Sequence, residues 1–391
     1  MLPVNYPICE KWEESKNIMS KRQGGRTNRW FNCLGVAALF SCFSLQTLQA
    51  AEQARTDTSR DLRSHSPTIV IPGKPSEDRP FGLVSQVATK LSHKRLHVGD
   101  YTFVPHVNKL WGVDRYKILR GNTVVHEEKI SKQNPNNTYY SLVLPLIPSR
   151  KVAIPETPNR YAAKLAIKGP LKAFLPGYSI CSSGTPEIAV EFADCGAARC
   201  LYKYTFFSCG KQFKKLLTLD TENDDLTFID LDGNGSIEAV GRDSTFRFWN
   251  AYGCDSPSPL IILKLKPGKV ALADNLMKTP PPSPRLMAKM IAETRAALKP
   301  ETNTSEPASG LIELKPFPVF AFMLDLIYTG HAQAAWTYLD QIWPQKPCRY
   351  ENSDQKPPTK AEFLRDFKKQ LAKSPYWNDI KRLNNFDPSL N

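Results

Sequence analysis

Residues Phe228 to Val240 limit what this chain can become more than any other stretch of it. Asp230, Asp232, Asn234, Ser236 and Glu238 stand at alternate positions around Gly235. A tight turn through them gathers their oxygens on one side, and a hard cation such as Ca2+ takes roughly six to eight oxygen ligands. Asp230, Asp232 and Asn234 are read as side-chain ligands, Ser236 as a backbone-carbonyl ligand, and Glu238 as a carboxylate bound directly or through water. Gly235 supplies the sharp turn because a residue without Cβ adopts positive φ freely. Ile237 then opens an apolar run that pins the loop to a core. An EF-hand needs a bidentate Glu at the twelfth loop position, and counted from Asp230 that position is Gly241, so an EF-hand is disfavoured. The flanks Leu226, Phe228, Ile229 and Val240 suit strands better than helices. The competing reading is a solvated hairpin that binds nothing. Three acidic groups in so short a loop speak against it, since without a cation they repel one another.

A second copy lies earlier in the chain. Ser179-Ile180-Cys181-Ser182-Ser183-Gly184-Thr185-Pro186-Glu187 aligns on the acidic loop without gaps, with Ile180 over Leu231, Gly184 over Gly235 and Glu187 over Glu238. Its first ligand positions are Ser179, Cys181 and Ser183, which lack the charge to strip water from Ca2+. The copy reads as a turn that kept its shape and lost its metal, the alternative being chance likeness of two glycine turns. An offset of about fifty residues suits a four-stranded, blade-like repeat.

An acidic loop that ends its ligands at the ninth position and runs from strand to strand resembles the FG-GAP or VCBS-type calcium loop. That loop occurs in integrin α-subunit propellers and many bacterial extracytoplasmic proteins. Residues 176–275 also resemble a group of poorly characterised bacterial secreted proteins. These carry a Gly-Gly-Ala-His-Cys-Cys turn, a Tyr-rich strand, the acidic loop, an aromatic strand and a Ser-Pro segment. The counterparts are Gly196-Ala197-Ala198-Arg199-Cys200, Asp230 to Glu238, Phe246-Arg247-Phe248-Trp249 and Ser256-Pro257-Ser258-Pro259. Arg199 replaces the His, Leu201 the second Cys and Ala197 a Gly, so no role of that His and cysteine pair carries over. The resemblance implies a β-rich fold and a structural ion, and it implies no reaction.

The beginning of the chain bears on location. Lys21, Arg22, Arg26 and Arg29 precede an apolar run from Trp30 to Leu45, and Leu48-Gln49-Ala50 before Ala51 resembles a signal-peptidase site. Residues 1–50 are read as a secretory signal peptide, with Met19 as an alternative initiator, and residues 51–67 as a flexible tether. The run is interrupted by Asn32, Ser41 and Ser44 and falls short of a span, so no integral membrane span is expected after cleavage, an uncleaved anchor being the alternative. With 52 Lys and Arg against 38 Asp and Glu the chain carries +14. For an exported chain nucleic acid is excluded as the expected partner, and an anionic envelope polymer or a protein takes its place.

Beyond residue 50 the cysteines are Cys181, Cys195, Cys200, Cys209, Cys254 and Cys348, an even set that suggests disulfides in an oxidising compartment. Cys195 and Cys200 bracket a short turn and form the first expected pair, Cys209 with Cys254 the second. A zinc knuckle is disfavoured because no Cys-x-x-Cys spacing occurs.

The remainder divides by composition. Residues 68–175 alternate short apolar runs with Gly, Pro and Asn turns, which predicts an antiparallel β region with a hairpin at Gly121-Asn122. Residues 176–275 hold the FG-GAP-like repeats with the calcium loop. From Thr279 a proline-rich break opens a helical part over 280–391, with helices at 286–298, 319–328, 332–342 and 360–373. The fold class is therefore α+β, a propeller-like or antiparallel sheet region followed by a small helical part. The sequence leaves open whether the strands make a small propeller or two packed sheets. Gly-x-Ser-x-Gly, a phosphate loop and His-Glu-x-x-His are all missing from the sequence, and His93 with His97 lacks the context of a metalloprotease. The expectation is a periplasmic or secreted protein that holds one structural Ca2+ and acts by recognition. The alternatives are a cell-envelope hydrolase with a metal-stabilised pocket, and a scaffold whose helical tail docks a protein.

Overall fold

The computed structural model describes residues 68–71, 82–108, 112–130, 138–148, 152, 171–195, 200–222, 224–250, 256–298, 312–314, 316–345, 348–350 and 358–386. The expected signal segment 1–50, the tether 51–67, the apolar run 162–167 and Cys254 lie outside these residues. In chain order the elements begin with β1 (Thr68–Ile71), α1 (Gly82–Ser92), β2 (Leu96–Val98), β3 (Tyr101–Asn108), β4 (Gly112–Arg120), β5 (Thr123–Lys129), β6 (Thr138–Leu142), β7 (Leu146–Ile147) and β8 (Leu171–Phe174). The middle of the chain gives β9 (Glu187–Cys195), β10 (Cys200–Cys209), β11 (Phe213–Glu222), β12 (Thr227–Ile229), β13 (Glu238–Arg242), β14 (Leu260–Lys266) and β15 (Lys269–Leu272). Last come α2 (Asp274–Met277), α3 (Pro284–Ala297), β16 (Ile312–Leu314), α4 (Pro316–Tyr328), α5 (Ala332–Ile342), β17 (Cys348–Tyr350), α6 (Lys360–Leu371) and α7 (Trp377–Asn384). The class is α+β.

Strands β11-β10-β9-β6-β4-β3-β2 form an 8-stranded sheet with β5 paired to β4, and β1-β8-β7-β12-β13-β14-β15 form a 7-stranded sheet. Of the two arrangements the sequence left open, the structure takes the packed sheets. The blade-like repeat is not realised, because β8 and β9, on either side of the Ser179–Glu187 turn, belong to different sheets, whereas β12 and β13 pair within one. The sheets meet through aromatic side chains: Phe228 of β12 lies 5.2 Å from Tyr204 and 5.7 Å from Phe206 of β10, ring centre to ring centre. On its other face the larger sheet curls until Tyr101 of β3 reaches the β10–β11 turn, where its hydroxyl donates to the Gly210 carbonyl at 3.0 Å. The hairpin expected at Gly121-Asn122 joins β4 to β5, with Gly121 at φ 56° as that turn requires.

Two local expectations are corrected. The region read as purely β contains α1, whose Val84, Val87, Ala88 and Leu91 recur at helical spacing behind a strand-like valine content. The Ser92 hydroxyl ends this helix, accepting from the Leu142 amide at 2.7 Å and so tying it to the larger sheet. The aromatic strand expected at Phe246 to Trp249 is a turn, with Phe248 at φ 59° and Asn250 at φ 52°. The turn lets Phe246 pack on Phe367 at 4.9 Å and Trp249 on Phe320 at 5.1 Å, so these rings serve the helices instead of a neighbouring strand.

Helices α5 and α6 begin where the sequence places them, α3 and α4 begin two and three residues earlier than expected, and α2 and α7 were not expected; Ser283 caps α3 ahead of Pro284 and a Thr359/Glu362 capping box opens α6. They pack on the 7-stranded sheet through polar as well as apolar contacts. The buried Asp243 carboxylate just past β13 accepts from the hydroxyls of Tyr328 and Ser374, each at 2.5 Å. At the far end Asp379 accepts from the Leu272 amide at 2.9 Å, and Arg382 pairs with Asp274 at 2.7 Å. Among the described residues no helix is long and apolar enough to cross a membrane.

Candidate metal centre

The acidic loop joins β12 to β13, and its ends are fixed before any ion is considered. Ile229 pairs with Glu238 across the ladder, while Leu231 and Ile237, both buried, plug the loop into the inter-sheet core. Gly233 and Gly235 take φ of 76° and 80°, which bends the chain around the space between Asp230 and Glu238. Carboxylate oxygens of Asp230, Asp232 and Glu238 all come within 4.8 Å of one another. Asp230 is 7% exposed and Glu238 fully buried, so the cluster faces inward.

One oxygen of each buried carboxylate is used by the loop itself. Asp230 Oδ2 accepts from the Gly235 amide at 2.9 Å, and Glu238 Oε2 accepts from the Leu231 amide at 3.1 Å. The other two, Asp230 Oδ1 and Glu238 Oε1, are buried with no hydrogen-bond donor. A buried acceptor without a partner costs about 1–3 kcal/mol, more when it is charged. Burial pushes the Glu238 carboxyl up to about 7, the Leu231 amide opposing the rise and the Asp232 and Asp230 charges adding to it.

The remaining expected ligands sit differently. Asn234 is exposed, its Oδ1 accepting from the Ser236 amide at 2.7 Å and its Nδ2 donating to Asp232 Oδ2 at 2.9 Å. Thus the structure gathers three of the five residues singled out from sequence, Asp230, Asp232 and Glu238, and lays Asn234 and Ser236 along the rim.

The Ser179–Glu187 loop has the same shape with other chemistry inside. Gly184 at φ 72° matches Gly235, and Ser182 at φ 53° matches Gly233. The Gly184 amide donates to Ser179 Oγ at 3.2 Å, in the place of the Gly235 amide on Asp230. Glu187, 1% exposed, has all the donors Glu238 lacks. Its Oε1 accepts from the Ser179 hydroxyl at 2.9 Å and the Ser183 hydroxyl at 2.6 Å, and its Oε2 from the Cys181 amide at 2.9 Å. The sequence identified these serines as lost ligands but not as the groups that replace the ion. It also gave no sign of Tyr178, whose hydroxyl donates to the Gly235 carbonyl at 2.5 Å and joins the two loops.

Cys195 and Cys200 form a disulfide between the facing ends of β9 and β10, as their spacing suggested. The expected Cys209–Cys254 pair involves Cys254, which lies outside the described residues; Cys209 itself is a free, buried thiol at the end of β10, and burial raises its pKa to about 12. Cys181 and Cys348 are likewise free and buried. His97 hydrogen-bonds Thr102 at 3.0 Å across the β2–β3 hairpin, a local contact.

Comparison of the chain with protein-family models, with curated proteins and with solved structures returns no match.

Proposed function

We propose that the chain is a periplasmic or secreted protein with an FG-GAP-like loop that holds one structural Ca2+, and that it acts by recognition instead of turnover. The observation that carries this reading is the pair of buried carboxylate oxygens, Asp230 Oδ1 and Glu238 Oε1, left without a donor in an all-oxygen cluster. A hard divalent ion satisfies both at once and cancels the repulsion within the cluster. All-oxygen donors favour Ca2+ over thiolate- or imidazole-seeking metals. Asp230, Asp232 and Glu238 would supply side-chain ligands, with Asn234 Oδ1 and the Ser236 carbonyl completing the set from the rim.

A structural role follows from magnitude. If the loop binds with a constant near 0.1 mM, in the range of extracellular modules, millimolar Ca2+ adds about 1.4 kcal/mol, enough to stiffen a hairpin between two sheets. The Cys195–Cys200 disulfide and the basic and apolar N-terminal segment support an exported location. The scaffold alternative gains less support, because Phe322, Ala335, Leu339, Phe363 and Phe367 of the helices are buried within the chain. The test is the melting temperature with and without millimolar Ca2+. The rise expected for the native chain should vanish in Asp230→Asn, and an equal rise in both would remove the loop from consideration.

A further inference from the structure

A second feature lies near the other end of β12. Between the two sheets opens a cavity of about 130 Å3 with an apolar floor that includes Leu144, Leu226 and Phe228. Its polar wall comes from one face of the larger sheet. Glu191 on β9 stands between Ser141 on β6 and Tyr204 on β10, and one step along the same face Ala193 stands between Tyr139 and Tyr202. The small side chain of Ala193 leaves room between those two rings. Across the opening is Asp225, exposed at the mouth, while Glu191 is partly buried. Among the described residues that line it none is Lys, Arg or His, although the whole chain carries +14.

We propose that this cavity binds a small organic cation, an ammonium or guanidinium group on a short aliphatic stem. Two carboxylates share one opening with no cationic side chain among its described lining residues, so a cation converts their repulsion into two attractions. Tyrosine rings beside the carboxylates add cation–π attraction. Leu144, Leu226 and Phe228 offer hydrocarbon to the methylenes of a stem. An engineered apolar cavity of about 150 Å3 takes up benzene, so the volume here admits a stem of roughly four to six heavy atoms. A bare divalent ion would find only two carboxylates, fewer oxygens than it requires.

Uptake should depend on pH. Burial pushes the Glu191 carboxyl up to about 7, with Asp225 adding to the rise and the Tyr204 hydroxyl opposing it. The groups facing it are Tyr139 and Ser141 from β6, Tyr202 and Tyr204 from β10, and Asp225 two residues before β12. Burial raises the Asp225 carboxyl as well, although part of it reaches solvent, so a cation displaces protons below neutrality and meets two charges once both groups have ionised.

The experiment is calorimetric titration of the full chain with pentylamine, agmatine and, as the neutral isostere, 1-pentanol. It is run in EDTA, so that the outcome does not depend on the calcium loop. Binding of the amines should be at least about tenfold tighter than that of the alcohol, and at least about tenfold tighter at about pH 8 than at about pH 5.5. Glu191→Gln and Asp225→Asn should each lose about tenfold in amine affinity. Asp225 lies at the exposed mouth, so its variant keeps the test alive if Glu191→Gln fails to fold. Equal affinity for amine and alcohol, no binding of either amine, or amine affinity indifferent to Asp225→Asn would overturn the proposal. Hydrolysis of a neutral glycoside that is lost in Glu191→Gln would also overturn it, by making the carboxylates an acid–base pair.

Discussion

The two nine-residue loops, Ser179–Glu187 and Asp230–Glu238, share a backbone path and differ in what sits at its centre. Both end in a buried glutamate, and both turn on residues with positive φ at matching positions. In the first, hydroxyl hydrogens of Ser179 and Ser183 point at Glu187; in the second, Asp230 and Asp232 crowd Glu238. A buried carboxylate can be satisfied by fixed donors or by a cation, and a loop built from serines has chosen the first while a loop built from aspartates requires the second. The shape therefore outlasts the metal, and the side chains at the first, third and fifth loop positions, Ser179, Cys181 and Ser183 against Asp230, Asp232 and Asn234, decide which solution is used.

The largest expected effect breaks the first loop. Glu187→Ala leaves the Ser179 and Ser183 hydroxyls and the Cys181 amide without their acceptor, three buried or half-buried donors. Denaturant unfolding should show a loss of about 3 kcal/mol or more, the same in Ca2+ and in EDTA. Restoration by Ca2+ would mean that this loop also holds an ion.

Next in size is a conversion. Ser179→Asp with Ser183→Asp replaces the two hydroxyl donors to Glu187 by acceptors, and the first of them places a carboxylate where the acidic loop has Asp230. In EDTA the double variant should be less stable than the native chain by about 2 kcal/mol, because three carboxylates then share one interior. Millimolar Ca2+ should recover much of the loss. A variant as stable as the native chain in EDTA would show that hydroxyl donors are not what holds the first loop.

A smaller effect comes from pH. The Glu238 carboxyl is raised to about 7, first by burial and then by its acidic neighbours. A carboxyl raised in the folded state favours folding while protonated, so in EDTA its contribution is full below the ordinary glutamate range and is lost as pH rises through about 7. Thermal melts between about pH 5 and about pH 8 in EDTA should fall, and Glu238→Gln should lessen the fall by its own share, the rest coming from Glu191, which is also raised to about 7. With Ca2+ present the native chain should lose the Glu238 share of the slope, since the ion holds the ionised form.

Much of this was legible in the sequence, and the reasons differ by element. The Asp/Asn/Gly spacing of the acidic loop is a local signal, since every group that meets there lies within nine consecutive residues. Cys195 with Cys200 is local in the same sense. Helix α5 was bounded correctly at Ala332–Ile342 because Gly330 and Pro344 mark its ends. Helix α7 escaped because it is short and only Ile380 and Leu383 are buried, too few to display a period. The partition of strands between sheets was not readable either: nothing around Tyr178 says that the chain leaves one sheet there for the other. Glu191 illustrates the same limit. Its place in the alternation Glu187, Ala189, Glu191, Ala193 puts it on the inter-sheet face, but Asp225 joins it only through folding.

The central claim is that the acidic loop needs an ion and its copy does not. Titrating Ca2+ into the purified full chain by calorimetry tests it most directly, with Glu238→Gln titrated alongside. The expected result is one ion per native chain with a dissociation constant near 0.1 mM, as for extracellular modules, and none in the variant. No heat at millimolar Ca2+, or the same binding in Glu238→Gln, would contradict it.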